Sequence, residues 1–407
     1  MALHPAIERF PIVDGDLTVG GVPLTRLAAR VGQTPFYAYD RRLLDERVKL
    51  LRSVLPAQIE LHYAIKANPM PAVVGYMAAR VDGLDVASGA ELRVALDAGT
   101  HAQEISFAGP AKSEAELAQA VASGILVNVE SMREIHVLGA VAKALSRIAR
   151  VAVRVNPDFE LKSSGMKMGG GPKQFGIDAE AVPRALAEIA RLGLAFEGFH
   201  IFSGSQNLRA AAICEAQTKA LALAVQLAAH APAPVISLNL GGGFGIPYFP
   251  GELPLELEPI GAHLKAIVAD AAQRLPRARL VIELGRILVG EAGIYVCRVV
   301  DKKMSRGEVF LVTDGGLHHH LAASGNFGQV IRKNYPVEIG NRAGSPDREL
   351  ASVVGPLCTP LDLLADRMDL PMAEPGDLVV VFQSGAYGLT ASPSGFLSHP
   401  AALEVLV

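Results

Sequence analysis

Eight short apolar runs, each followed by a helical pattern, constrain this chain more than any other feature. They are IELHYAI (59–65), DGLDVA (82–87), EISFA (104–108), ILVNV (125–129), VAVRVN (151–156), AFEGFHIF (195–202), VISLNLG (235–241) and LVIELG (280–285). Between them lie Ala-, Leu- and Glu-rich stretches such as GAELRVALDAG and AVPRALAEIARLG, the latter stopped by Gly193. Strands alternating with helices predict parallel β/α units, and eight of them suit a closed (β/α)8 barrel of the TIM type. An open doubly wound sheet is the competing arrangement, because alternation alone does not prove closure.

After residue 286 the pattern changes. GIYVCRVVDKKM, GEVFLVTDGG, ELASVVGPL and GDLVVVFQSGAYG read as strands joined by turns, and the N-terminal FPIVDGDLTVGGVPL has the same character. The expected organisation is an α/β barrel over residues 36–285 and a C-terminal β domain over 286–407, completed by residues 1–35. Half of the 407 residues are hydrophobic, enough for two cores. A formal net charge of -3 without basic blocks gives no footprint for nucleic acid. The longest apolar stretch, AAAICEAQTKALALAVQLAAHA, is interrupted by Glu215, Gln217 and Lys219, so it reads as a core helix rather than a membrane span. Three unpaired cysteines and the absence of a signal-peptide pattern lead us to expect a cytoplasmic protein.

Catalytic groups in such barrels stand at the C-terminal ends of strands. Lys66 follows the first run, Asp85 and Ser88 end the second, Arg154 and Asn156 the fifth, and His200 the sixth. Gly241–Gly245 follow the seventh and Glu283–Arg286 end the eighth. Each alone has a structural explanation, since a glycine run is commonly a tight turn and a strand-end arginine a surface ion pair. Together they describe one rim. Consecutive glycines let main-chain N–H groups approach a phosphate, and Arg286 adds charge-assisted bonds. A strand-end lysine beside such a pocket suits covalent attachment of pyridoxal 5'-phosphate, and a carboxylate at Glu283 suits its pyridine nitrogen.

From about residue 34 to the C-terminus the chain resembles the pyridoxal-phosphate decarboxylases of the alanine-racemase-like fold, the group of diaminopimelate and ornithine decarboxylases. The motifs that carry the resemblance are YAIKAN, DVASGAEL, RVNP, KQFGI, GSQ, LGGGFG, ELGR, GPLCTPLD and GAYG. It implies that Lys66 binds the cofactor, that Glu283 meets the ring nitrogen, and that Ser205, Gly242, Gly243, Arg286 and Tyr387 hold the phosphate. Asp85, Arg154, His200 and Phe202 complete the expected cofactor site. Cys358, in GPLCTPLD, is similar to the family cysteine that reaches the partner subunit's site and returns a proton, with Asp362 on the same loop. The resemblance thus implies a homodimer with shared sites.

Three departures stand out. The position three before Ser205, where the family places a ring-stacking histidine, is Phe202, and His200 lies two residues earlier. Diaminopimelate decarboxylases carry an acid after the cysteine and an arginine after the Asp-Gly-Gly turn; here these positions are Thr359 and Ala322. A site stripped of both charges discriminates against substrates with a charged distal end. The chain is similar to the exosortase-associated decarboxylases, and related enzymes act on aminoacyl groups tethered to carrier proteins.

The expected activity is therefore α-decarboxylation of an amino acid or of an aminoacyl group on an acyl carrier protein, with Lys66, Cys358 and Glu283 catalytic and Thr359, Asp362 and Ala322 facing substrate. The rivals are a diaminopimelate decarboxylase with a remodelled clamp, an amino-acid racemase, and a non-catalytic cofactor-binding protein. The run His318–His320 invites a metal, but consecutive residues on a strand alternate faces, so no metal site is expected.

Overall fold

The computed structural model describes residues 4–159, 166–167, 169–329 and 331–407. Eight parallel strands form a ring: β1 (Ile59–Ala64), β2 (Gly83–Val86), β3 (Ile105–Phe107), β4 (Leu126–Val129), β5 (Arg150–Asn156), β6 (Ala195–His200), β7 (Ser237–Gly242) and β8 (Arg279–Leu284). Each pairs with its successor, and β8 pairs with β1 through Leu280↔Ile59 to Leu284↔Tyr63. Closure excludes the open sheet. Strands β2, β3 and β4 are buried at every position, as expected of parallel strands covered on both faces.

The crossover helices start where the sequence provides caps. Ser88, Ser113 and Ser131 each accept a hydrogen bond from the main-chain N–H three residues on. At Ser113 the capping box is complete, because Glu116 bonds back to the Ser113 N–H. Ser88 is thus accounted for as a cap. The Ala-rich stretch forms a helix over Ala210–Ala228 that buries Ile213, Gln217, Leu221 and Leu227 on one side.

The chain divides into two compact units, Val48–Ile246 with Leu253–Ile287, and Met1–Arg47 with Pro247–Glu252 and Leu288–Val407. Residues 36–47 fall with the second unit because strand Phe36–Tyr39 pairs with Gly293–Ser305 on one side and Leu403–Leu406 on the other. Thus the second unit takes more of the N-terminal chain than the break at residue 35 suggests. Strand Gly293–Ser305 is long enough to serve two neighbourhoods. Its first half pairs with Leu378–Val381 and its second with Glu308–Thr313, which passes on to Arg348–Val354 and Leu363–Pro371. Residues Ile12–Val13, Asp16–Val19 and Val22–Pro23 form a small antiparallel sheet.

His318–His320 correct one premise. They lie in turns beyond the strand Glu308–Thr313, not on a strand, and all three are buried. Tyr37 donates to the His319 carbonyl, and the His320 Nε2 lies 2.8 Å from Ser384 Oγ. Burial pulls His318 down to about 4 and His320 to about 3; His318 packs against the His319 ring, with 3.8 Å between centroids, and neither of its nitrogens finds a hydrogen-bond partner among the described residues.

Candidate active site

Beyond β1 the chain makes a single tight turn, Ile65–Ala67, that turns Lys66 out while Ile65 and Ala67 stay buried. Asn68 holds the turn by accepting from the Met70 N–H, and the Tyr63 hydroxyl donates to the Asn68 carbonyl. The Lys66 side chain, 42% exposed, places Nζ 2.9 Å from Oε1 of the buried Glu283. The other oxygen of Glu283 lies 3.1 Å from His200 Nε2. Burial would push the Glu283 carboxyl up, but the Lys66 charge and the His200 contact outweigh it and hold it well below its ordinary range. Phe202 lies across from the amine, with 5.7 Å from Nζ to the ring centroid. A primary amine, an ionised buried carboxylate, an imidazole and an aromatic face therefore converge on the strand-end rim.

Asp85 stands on β2 within the ring. Its Oδ1 accepts from the Ser106 hydroxyl and lies 3.4 Å from His62 Nδ1, and Ser106 also accepts from Asn128 at 3.1 Å. Burial alone would lower His62, but Asp85 and Glu60 overcome it and raise it to about 10. Arg154, at the end of β5, is tied to Glu130 at 2.8 Å and covers the Phe175 ring at 4.9 Å. Glu130 also accepts the N–H groups of Gly109 and Gly176. Beside it the buried Lys112 meets Glu134 at 3.0 Å. Glu130, Phe175 and His62 were missed by the sequence reading. A carboxylate one residue beyond β4, just before a capping serine, was the available signal for Glu130. Asn156 bonds Gly170, Gly171 and Asp178, which makes it a loop fastener.

The glycines after β7 are required by close approach. A Cβ on Gly242 would lie 2.0 Å from the Glu283 carbonyl, and one on Gly243 would lie 2.0 Å from the Gly204 carbonyl. Gly243 also has φ +75°, a region side chains avoid. The short strand Gly204–Ser205 and the Gly241–Gly245 segment at the end of β7 thus pack main chain to main chain. Asn207 N–H donates to Gly243 O and Gly245 N–H to Asn207 O, each at 2.9 Å. Arg286 opens the four-residue helix that follows β8.

The remaining predicted residues belong to the second unit. Cys358 is exposed and Thr359 half-buried. Asp362 is buried, and its two oxygens accept the Leu317 and Leu357 N–H groups at 2.6 and 2.9 Å. Burial raises its carboxyl, the two N–H bonds opposing. A Cβ on Gly316 or Gly355 would collide with that carboxylate. Asp362 therefore fastens the Cys358 loop to the segment that carries Ala322, itself buried, and both of its oxygens are engaged by main chain. Tyr387 is half-buried with φ +54°.

Residues 41–290 match the family model described as the pyridoxal-dependent decarboxylase, pyridoxal binding domain. The chain belongs to the pyridoxal-dependent decarboxylases. It is 38% identical to an L-glutamyl-[BtrI acyl-carrier protein] decarboxylase of Niallia circulans, over 94% of this chain and 90% of the relative. It is 34% identical to a diaminopimelate decarboxylase of Aquifex aeolicus, over 97% and 91%. The crystal structure of the Helicobacter pylori diaminopimelate decarboxylase complexed with L-lysine superposes with a TM-score of 0.82 at 26% identity, covering 94% of each chain. The decarboxylase's cofactor is pyridoxal phosphate, and the donor set fits it: a half-exposed amine, a carboxylate held ionised, and a glycine segment with no room for a Cβ at Gly242 or Gly243. Among the described residues no helix is long and apolar enough to cross a membrane.

Proposed function

We propose that this decarboxylase acts as a cytoplasmic homodimer on an aminoacyl group tethered to a carrier protein, removing its α-carboxylate. The observation that carries the reading is the chemistry at Thr359 and Ala322, which offer a distal end of the substrate neither anion nor cation. An amide or thioester distal end loses little in such surroundings, whereas an ammonium or carboxylate gives up hydration for no partner. The name of the Niallia circulans relative, a carrier-protein glutamyl decarboxylase, supports the same substrate class.

The bound pyridoxal phosphate supplies the electron sink for the pair left when CO2 departs. The residues of this chain do the rest. Lys66 would hold the cofactor, and its amine would be available for proton transfer beside the reacting carbon. Glu283, kept ionised by Lys66 and His200, is assigned to the ring nitrogen, where a carboxylate keeps a proton in place. Ser205, Gly242, Gly243, Arg286 and Tyr387 are assigned to the phosphate, and Phe202 to the ring face in place of the family histidine. His200 acts through Glu283 rather than on the ring. Asp85 and Arg154 are assigned to shaping the site, each through its buried partner. Cys358 of one protomer is assigned to returning a proton to the α-carbon in the site of its partner. Asp362 sets the position of that loop.

Purified holoenzyme offered free glutamate, meso-diaminopimelate, lysine and ornithine, and the same aminoacyl groups on a phosphopantetheinylated carrier, tests this by CO2 release. Turnover confined to the carrier-bound forms is expected. A free diamino acid processed with a kcat/KM in the ordinary enzyme range of about 10⁴–10⁸ M⁻¹s⁻¹ overturns the substrate reading.

A further inference from the structure

One buried polar side chain near the glycine loops has no part in the chemistry above. Gln217 lies mid-way along the helix Ala210–Ala228, on the face that buries Ile213, Ala220, Leu221 and Ala224. It is 3% exposed, and its Oε1 finds no hydrogen-bond partner among the described residues. A leucine would suit these apolar neighbours, and a primary amide has two donors and an acceptor to satisfy. Leaving them unmet in a core costs stability.

The side chain faces a cavity of about 20 Å³ whose other walls include Ser203, Gly204, Asn207 and Gly242. That volume takes one water, and a buried water needs two to four polar partners. Main-chain groups of two loops and the Gln217 amide border the same space. These loops are the ones that meet at Gly204 and Gly243 with no room for a Cβ. A water in this cavity would touch both segments from behind the phosphate cradle.

We infer that Gln217 is a positioning residue: it holds a single buried water that braces the Gly204 turn against the Gly242 turn and so tunes cofactor affinity. The inference rests on the assignment of these loops to the phosphate. Gln217 touches neither substrate nor cofactor, so its removal acts on binding before turnover.

Gln217→Leu and Gln217→Met remove the amide at similar volume. Apoprotein of each, titrated with pyridoxal phosphate and followed by absorbance, is expected to bind about tenfold more weakly than wild type, the scale of one hydrogen-bonded contact. Melting temperature of the apoprotein should change little, because a leucine or methionine exchanges the amide–water contact for apolar packing against Ile213, Ala220 and Leu221. The kcat at saturating cofactor should stay within about twofold. Unchanged affinity overturns the inference, as does a loss matched by equal destabilisation of the apoprotein, which marks a packing role. If neither variant folds, a high-resolution structure of the wild-type holoenzyme decides: an ordered water bonded to Gln217 and to main chain of Gly204 or Gly242 supports it, and a dry cavity overturns it. A wild-type protein that fails to take up pyridoxal phosphate would instead strike at the cofactor assignment itself.

Discussion

In the barrel, the Lys66 amine is ion-paired with Glu283, Glu283 also contacts His200 Nε2, and the glycine segments beside them pack main chain on main chain. The Cys358 loop of the second unit is organised differently. There the exposed Cys358 and the half-buried Thr359 stand on a loop fixed by main-chain hydrogen bonds and by one buried carboxylate, Asp362. The first region is preorganised down to single atoms, as a site must be that stabilises charge in a low-dielectric setting. The second fixes a backbone path and turns uncharged side chains, Cys358 and Thr359, outward.

The sharpest way to break the comparison is at Lys66. Lys66→Ala is expected to reduce decarboxylation by about 10³-fold or more, the scale on which enzymes lose a covalent catalytic group. Borohydride treatment of the wild-type holoenzyme, followed by peptide mass analysis, should place the reduced cofactor on Lys66. A label on another lysine breaks the barrel half of the comparison.

Next comes Cys358. Its loss should cost roughly 10²–10⁴-fold in kcat, the range for a positioned proton donor. Mixing Lys66→Ala and Cys358→Ala proteins should restore part of the activity, since one of the two composite sites then carries both intact residues. Failure to complement, with subunit exchange confirmed by mass, would show that the two regions do not meet across protomers.

How much of this was legible in the sequence follows from what each residue depends on. Strand count, barrel class and the rim positions of Lys66, His200 and Glu283 could be read because they rest on periodicity and strand ends. Closure was expected from the count of eight, but alternation alone did not exclude an open sheet, because closure depends on β8 finding β1 across more than 200 residues. The reach of strand Phe36–Tyr39 into the second unit was hidden for the same reason. Glu130 and His62 were missed because their roles lie in partners from other strands, and the pairing of Arg154 with Glu130 has no local signature. Asp362 was legible as a loop acid near the cysteine, but only the structure shows both its oxygens on main-chain N–H groups. The histidine run was misplaced on a strand because turn chemistry after Asp314-Gly315-Gly316 was not weighed.

The clamp offers a smaller effect and a gain rather than a loss. Thr359→Glu with Ala322→Arg supplies the two charges that these positions do not offer a charged distal end. Turnover of free meso-diaminopimelate, measured as kcat/KM, should rise about tenfold or more per restored contact, since 1.36 kcal/mol is a factor of ten. Ala322 is buried, so the arginine must find room, and a double variant that folds without gain would place the distal group elsewhere.

The smallest effect concerns stability and lies below the rim, at His62. The ring meets Asp85 at 3.4 Å and Glu60 at 3.8 Å, and Arg279 lies 3.3 Å from Glu60 and 3.2 Å from Glu104. Among the described residues Glu60, His62 and Glu104 also come together as potential metal ligands. Arg279 already pairs with both carboxylates, so the group reads as a charge network. Burial opposes the charge on His62, but Asp85 and Glu60 raise it to about 10, above the value near 6.5 of an unfolded chain. A group raised on folding stabilises the fold fully below its unfolded value, and the contribution disappears as pH climbs through the folded one. His62→Asn should therefore melt below wild type near pH 6, by a few degrees at the usual scale of about 2–4 °C per kcal/mol in domains of this size. That gap should narrow steadily between pH 6.5 and about 10. Melting curves of both proteins across that range check it. A gap that stays constant means His62 is neutral in the fold, and its tie to Asp85 is then an ordinary hydrogen bond rather than a buried ion pair.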